Sequence, residues 1–231
     1  MSAINFEILS YDETPLGPLC LRRRELLAEP GTIVTEVSLN HEFLMSSYNT
    51  ASERALASVA LDMRPGEGLD VLVGGLGLGY TAREALASPR VSRVEVVEFL
   101  PQVIGWLDAG LIPLAGELKA DARLRVVRDD VYRLLARVPE RLHDLILIDV
   151  DHSPDDRLTA ANGLFYTRKG LEAAKAHLKP GGVLGVWSYA ECSPFAEALR
   201  EAFREVRVER VEFKNRFVGE VQADWLFFAR P

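Results

Sequence analysis

The chain has 231 residues, 48% of them hydrophobic and 26% charged, with a net charge of −7. This composition excludes a disordered chain, and the acidic balance argues against nucleic acid or an anionic membrane as partner, since both attract positive charge. The length suits one large unit, or one with a small appendage, and is ample to bury a core.

The character of the chain changes near residue 50. Before it, residues 4–9, 17–22 and 32–39 are rich in β-favouring side chains and are punctuated by Pro15-Leu16-Gly17-Pro18 and Glu29-Pro30-Gly31. They predict a small antiparallel sheet over residues 1–49. Residues 52–63 place Ala55, Leu56, Val59, Ala60 and Met63 at helical spacing, with Thr50 or Ser52 as cap and Arg64-Pro65-Gly66 as stop. From residue 69 strands and helices alternate. Strands are expected at 69–74, 93–98, 123–127, 143–149 and 183–188, with helices at 80–87, 102–107, 131–137, 164–177 and 194–203. Crossover-length helices between strands imply a parallel sheet covered on both faces. The last two strands, 206–213 and 223–229, are joined by about ten non-helical residues, too few for a helical crossover, and so should pair as a hairpin. The expected class is α/β: a Rossmann-like class I methyltransferase fold over residues 50–231, behind the N-terminal β region.

The two cysteines, Cys20 and Cys192, show no CxxC spacing, which predicts reduced thiols and no thiolate metal cage. No apolar run approaches the roughly 20 residues of a membrane helix. The opening MSAINFEILSYDE lacks the basic and apolar regions of a secretory signal. A cytoplasmic protein without membrane contact is expected. Edge strands and the apolar Phe43-Leu44-Met45 suggest a homodimer.

Residues 71–84, VLVGGLGLGYTARE, form the strongest motif. Gly75, Gly77 and Gly79, with Leu78 between them, follow a strand and open a helix, where missing side chains let backbone N–H groups approach a ligand. The dinucleotide pattern G-x-G-x-x-G would need glycine at position 80, which is Tyr80. Glu98 ends the second strand, where a carboxylate can accept both hydroxyls of a ribose. Asp129 and Asp130 end the third strand. One can meet an adenine amino group and the other can cap the next helix; Asp129 lies nearer the strand. Asp149 and Asp151 follow the fourth strand, in the crevice where open α/β sheets bind ligands. Neighbouring carboxylates can hold an amine and raise one another's pKa, which suits proton acceptance. His152, Tyr166 and Tyr189 are candidate substrate contacts. Arg22-Arg23-Arg24 reads as a solvated strand end, Trp106 and Trp225 as packing, and no residue cluster has metal-ligand spacing.

VLVGGLGLGYTARE, VEVVE, VVRDD, DLILIDVD and LKPGG, in this order and spacing, resemble class I S-adenosylmethionine-dependent transferases. Within them the chain looks most like the spermidine synthase (polyamine aminopropyltransferase) branch. The resemblance implies S-adenosylmethionine or its decarboxylated form as co-substrate, a small amine acceptor and no metal. It assigns the first aspartate of the family's D-x-x-D-P motif to Asp149, with His152 in place of the second. The family's loop aspartate, which holds the aminopropyl ammonium, is replaced by Leu78. Of the family's YHE junction only Glu53 is retained. The loss of an ammonium partner at Leu78 places methyl transfer to a small amine-bearing acceptor first. Aminopropyl transfer to a polyamine stands second, and a non-catalytic nucleoside-binding protein third.

Overall fold

The computed structural model describes residues 6–215 and 219–231. Its first layer is a four-stranded antiparallel sheet in chain order: β1 (Phe6–Thr14), β2 (Gly17–Leu26), β3 (Glu29–Leu39) and β4 (Glu42–Ser46). Helix α1 (Ala51–Met63) then leads to β5 (Leu69–Gly74), α2 (Tyr80–Ala87), β6 (Val91–Glu98), α3 (Pro101–Asp108), α4 (Ala115–Ala120) and β7 (Leu124–Arg128). The chain continues through α5 (Val131–Leu135), β8 (His143–Ile148), a 3-10 turn (Ala160–Leu164), α6 (Arg168–Lys175), β9 (Leu178–Ser188), α7 (Ser193–Ala202), β10 (Glu205–Asn215) and β11 (Glu220–Arg230).

The second sheet has the order β10-β11-β9-β8-β5-β6-β7. Strands β5 to β9 pair in parallel, whereas β11 runs antiparallel to both β9 and β10. This is the α/β fold with terminal hairpin that the alternation of elements predicts. The central strands are apolar because each side chain alternates between two buried faces. Val71, Val73, Leu145 and Leu147 join the cluster under α1 and α2, and Leu72, Ile146 and Ile148 join the one under α5, α6 and α7. Leu19, Leu21, Val37 and Leu39 of the N-terminal sheet belong to the first of these clusters. The small sheet thus packs into the same apolar interior, over the strand ends that carry the glycine loop.

Several elements depart from expectation for local reasons. Strand β4 follows β3 through Asn40 and His41, both at positive φ (51° and 66°). That two-residue hairpin lacks glycine, the usual signal for such a turn. The expected helix 164–177 divides, because Thr167 caps α6 by accepting from the Gly170 N–H. A Cβ on Gly170 would sit 2.1 Å from the Leu164 carbonyl oxygen. The fifth strand, expected at 183–188, begins earlier, because Leu178–Gly182 already belongs to β9. Thr50 is the N-cap residue of α1 but makes no side-chain capping bond. Residues 4 and 5 of the expected first strand and residues 216–218 of the terminal hairpin's connection lie outside the described residues.

Candidate active site

Two cavities open at the C-terminal ends of the parallel strands, and both have the N-terminal sheet as one wall. The first is a narrow space of about 120 Å³. Its lining is mostly apolar and includes Leu39, Leu44, Leu100, Val103, Trp106 and Val131. Glu98 is its buried acid. One carboxylate oxygen accepts from the Leu76 N–H at 2.8 Å and the other from the Leu100 N–H at 2.7 Å. Burial raises its pKa, and the hydrogen bonds from Leu100 and Leu76 oppose that shift. Backbone N–H groups of Phe99 and Gly77 add to these bonds, and the carboxylate borders the cavity at a strand end, where it can also accept from a ribose.

The glycines around it answer to the protein as much as to a ligand. Gly75, Gly77 and Gly79 have φ of 90°, 50° and 89°. A Cβ added at these positions would strike the Asp149 carbonyl oxygen at 2.2 Å, Met45 Sδ at 2.8 Å and Leu118 Cδ1 at 2.5 Å. The loop is therefore clamped between the end of β8, strand β4 and helix α4. Of the two expected adenine contacts, Asp130 lines the cavity and also caps α5, accepting from the N–H groups of Tyr132 and Arg133. Asp129 is not part of the cavity lining. It accepts from the Asp130 N–H at 2.9 Å and lies 3.6 Å from Arg137. The geometry reverses the preference for Asp129, because the carboxylate nearer the strand is turned toward α5's far end.

The second cavity is larger, about 610 Å³. It shares Leu44, Met45, Gly77, Asp149 and Val150 with the first, so the two meet at Asp149. Three acids gather on one side: Glu53 from α1, Asp149 after β8 and Asp224 from β11. Thr81 Oγ1 donates to Asp149 at 2.7 Å, Ser52 Oγ donates to Asp224 at 2.6 Å, and Trp187 Nε1 donates to Ser52 at 3.0 Å. Burial, and then the charge of Asp149, push Glu53 up to about 8. Burial pushes Asp149 up to about 6, with Thr81 opposing and Asp224 adding to the rise, and burial also raises Asp224. No cation among the described residues contributes to any of these shifts. A half-buried acid cluster whose members hold protons for want of a countercharge favours a cationic ligand, which can take the place of a proton.

The other expected contacts divide. Asp151 borders this cavity, yet its acceptor positions are occupied by Leu158 N–H, Asn162 Nδ2 and the hydroxyls of Tyr132 and Tyr166, all at 2.8–3.0 Å. It organises the loop after β8 rather than presenting a free base. Tyr166 is buried against Tyr132, Phe165 and Phe195 and does not border the cavity, which corrects its reading as a substrate contact. His152, Tyr189 and the buried Leu78 do border it. Asp224 escapes a reading of the sequence. An acid in the middle of a terminal hairpin strand carries no motif, and only the pairing of β11 with β9 brings it beside α1. Glu53 is visible only as the remnant of a motif. Trp106 packs as expected, but it also walls the narrow cavity. Leu44 and Met45 wall both cavities, and Phe43 borders the wide one while 60% exposed. Among the described residues no cluster of metal-ligating side chains occurs, and no helix is long and apolar enough to cross a membrane.

The parallel sheet with its terminal antiparallel hairpin, and an acid at the end of β6 beside a glycine loop, define a Rossmann-like fold of the class I methyltransferase type. No family model matches the chain. Polyamine aminopropyltransferase 2 of Streptomyces coelicolor is 35% identical over 118 residues, which cover 50% of this chain and 21% of that protein. Polyamine aminopropyltransferase 2 of Pseudomonas aeruginosa is 29% identical over 167 residues, covering 68% of this chain and 47% of that one. The chain therefore spans less than half the length of these relatives. A crystal structure of spermidine synthase in complex with the transition-state analogue AdoDATO superposes with a TM-score of 0.76 at 19% identity, covering 96% of this chain and 73% of that one. The spermidine synthase of Thermotoga maritima gives 0.73 at 17% identity, over 96% and 72%. The chain is spermidine-synthase-like in fold and similar in sequence to polyamine aminopropyltransferases.

Proposed function

We propose that the protein transfers an aminopropyl group from decarboxylated S-adenosylmethionine to a small amine. The observation that carries this reading is the group of half-buried carboxylates, Glu53, Asp149 and Asp224, in the wide cavity, with Asp149 at its junction with the narrow one. Both reactants of aminopropyl transfer bring an ammonium, and both can be neutralised there. S-adenosylmethionine itself carries a carboxylate on the same side chain, which these acids would repel. That reverses the order in which Leu78 alone places the two reactions, since the ammonium partner missing from the loop is supplied from α1 and β11. The names of the sequence relatives point the same way.

In this reading the nucleoside lies in the narrow cavity, with Glu98 accepting from the ribose and Asp130 beside the base. The aminopropyl chain passes Gly77 toward Asp149. The acceptor loses a proton, its nitrogen attacks the carbon next to the sulfonium, a C–N bond forms, and the C–S bond breaks with its electron pair going to sulfur. Methylthioadenosine leaves. The burial that lifts Asp149 to about 6 brings it closer to the range in which a carboxylate can accept that proton at neutral pH. Fixing the two reactants in line supplies much of the remaining acceleration.

The test is calorimetry with S-adenosylmethionine and its decarboxylated form side by side, followed by an assay of methylthioadenosine release with an amine present. Tighter binding of the decarboxylated form and amine-dependent release are expected. Tighter binding of S-adenosylmethionine with methylated product would restore methyl transfer. Binding with no turnover of either would leave a nucleoside-binding protein.

A further inference from the structure

The wide cavity is also lined by charge of the other sign, from β2. Arg22 and Arg24 are two residues apart in β2 and so share a face, and Arg22 pairs across the sheet with Glu36 of β3. Arg22 donates Nε to one oxygen of Glu36 at 2.9 Å, and Arg24 donates Nε to the other at 2.8 Å. The Nη2 atoms of both arginines follow at 2.9 and 2.7 Å. The Glu36 side chain is 5% exposed, and all three residues border the acceptor cavity. The basic run keeps the solvent contact expected of it, with side-chain exposures of 37% for Arg22 and 29% for Arg24, and the structure adds its pairing with Glu36. Arg22 has five N–H donors, and Glu36 engages it through Nε and Nη2, so its guanidinium can hold a second carboxylate beside the first.

We propose that the acceptor amine also carries a carboxylate, which Arg22, set beside Arg24 over Glu36, receives while the amine faces Glu53, Asp149 and Asp224. The assignment rests on the aminopropyl-transfer reading of the site and specifies its substrate class. A plain diamine would bring its second ammonium into a cavity that also presents the Arg22 guanidinium. An amine ending in a carboxylate matches both signs of charge. The same guanidinium could instead hold the carboxylate of S-adenosylmethionine, so the test separates the two sources. An arginine that only staples β2 to β3 would not distinguish ligands by charge.

Protein saturated with methylthioadenosine is titrated with amines of matched length that end in an ammonium or a carboxylate. Putrescine is compared with 4-aminobutyrate, and cadaverine with 5-aminovalerate. The wild type should bind the carboxylate member of each pair at least about tenfold more tightly. Arg22→Gln should weaken that binding by about 10- to 100-fold, the span of a charge-assisted hydrogen bond, and should strengthen diamine binding. A wild type that prefers the diamines overturns the proposal, whatever the variant does. So does an Arg22→Gln variant that weakens both members of a pair equally. A variant that loses affinity for S-adenosylmethionine but not for the amino acids assigns the arginine to the co-substrate and overturns it too. Because the product-saturated protein is titrated, ligand preference is read without turnover. Failure of aminopropyl transfer itself appears separately, as absence of methylthioadenosine release from the decarboxylated co-substrate with every amine.

Discussion

The narrow cavity is walled mostly by apolar side chains around Glu98, whose oxygens already accept backbone N–H groups, with Asp130 and Asp149 also in its lining, whereas the wide cavity holds the acids Glu53, Asp149 and Asp224 together with two arginines. The first is a preformed slot: its acid is satisfied and its glycines are wedged against β8, β4 and α4. The second holds acids whose pKa values are raised, so that a cationic ligand can displace a bound proton. The difference teaches that fold and specificity are carried by separate parts of the molecule. The slot's acid and glycines come from the βα turns that the fold itself creates, with the N-terminal sheet closing it, and the charged cavity takes its charges from α1, β2, β3 and β11, which meet only in three dimensions. Asp149 belongs to both cavities, so it is the residue at which the contrast can be broken.

Asp149→Asn should therefore give the largest effect. Turnover is expected to fall by about 100- to 10,000-fold, the usual contribution of a positioned base. Methylthioadenosine affinity should stay within a few-fold, because the loop contacts at Gly75 involve the Asp149 backbone rather than its carboxyl group. Single-turnover kinetics and calorimetry on the same variant check this. A parallel loss of nucleoside affinity would mean that the two cavities are not separable.

Asp151 sharpens the comparison from the structural side. It lies two residues from Asp149, but its oxygens accept from Leu158, Asn162, Tyr132 and Tyr166. Asp151→Asn would turn an amide donor toward donors, costing about 2–4 kcal/mol of stability. Denaturant unfolding should show that loss, while turnover per folded molecule stays close to wild type. Turnover falling as far as it does for Asp149→Asn would return Asp151 to the catalytic role that its sequence position suggests.

How much of this was legible follows from the range of the interactions. The strands β5 to β9 and the glycine loop announce themselves because apolar runs, glycine spacing and strand-end acids are local patterns. Glu98 is readable for the same reason. The division of labour between Asp129 and Asp130 is not, since which carboxylate caps α5 depends on one backbone turn. Asp151 and Tyr166 look like a catalytic acid and an aromatic wall until a folded loop shows them bonded to each other. Asp224, Arg22 and Arg24 are beyond a local reading, because their meaning comes from elements far apart in the chain that share one cavity.

Glu98→Ala probes the slot alone. Removing the carboxylate should weaken methylthioadenosine binding by about 1–3 kcal/mol, the range for a lost charged hydrogen bond. It also frees the Leu76 and Leu100 N–H groups, so a modest fall in melting temperature should accompany it. Unchanged nucleoside affinity in the folded variant would remove Glu98 from the site.

The smallest expected effect is a pH dependence that belongs to the wide cavity. Glu53, pushed up to about 8 by burial and by Asp149, holds a proton at neutral pH that an ordinary glutamate would have lost. The folded state keeps that proton and the unfolded state does not, so this group's contribution to stability declines as pH climbs from 4.5 to about 8. An ammonium competes with the same proton, so amine affinity should rise over the upper part of that window, by no more than about tenfold per pH unit for one proton. Calorimetry in buffers of different ionisation enthalpy should register proton release on amine binding at pH 7. In Glu53→Gln both the release and the pH dependence should shrink, while nucleoside binding in the narrow cavity keeps its wild-type pH profile. If the variant retains the full proton release, the titrating group is Asp149 or Asp224, and the ammonium sits nearer β8 and β11 than α1.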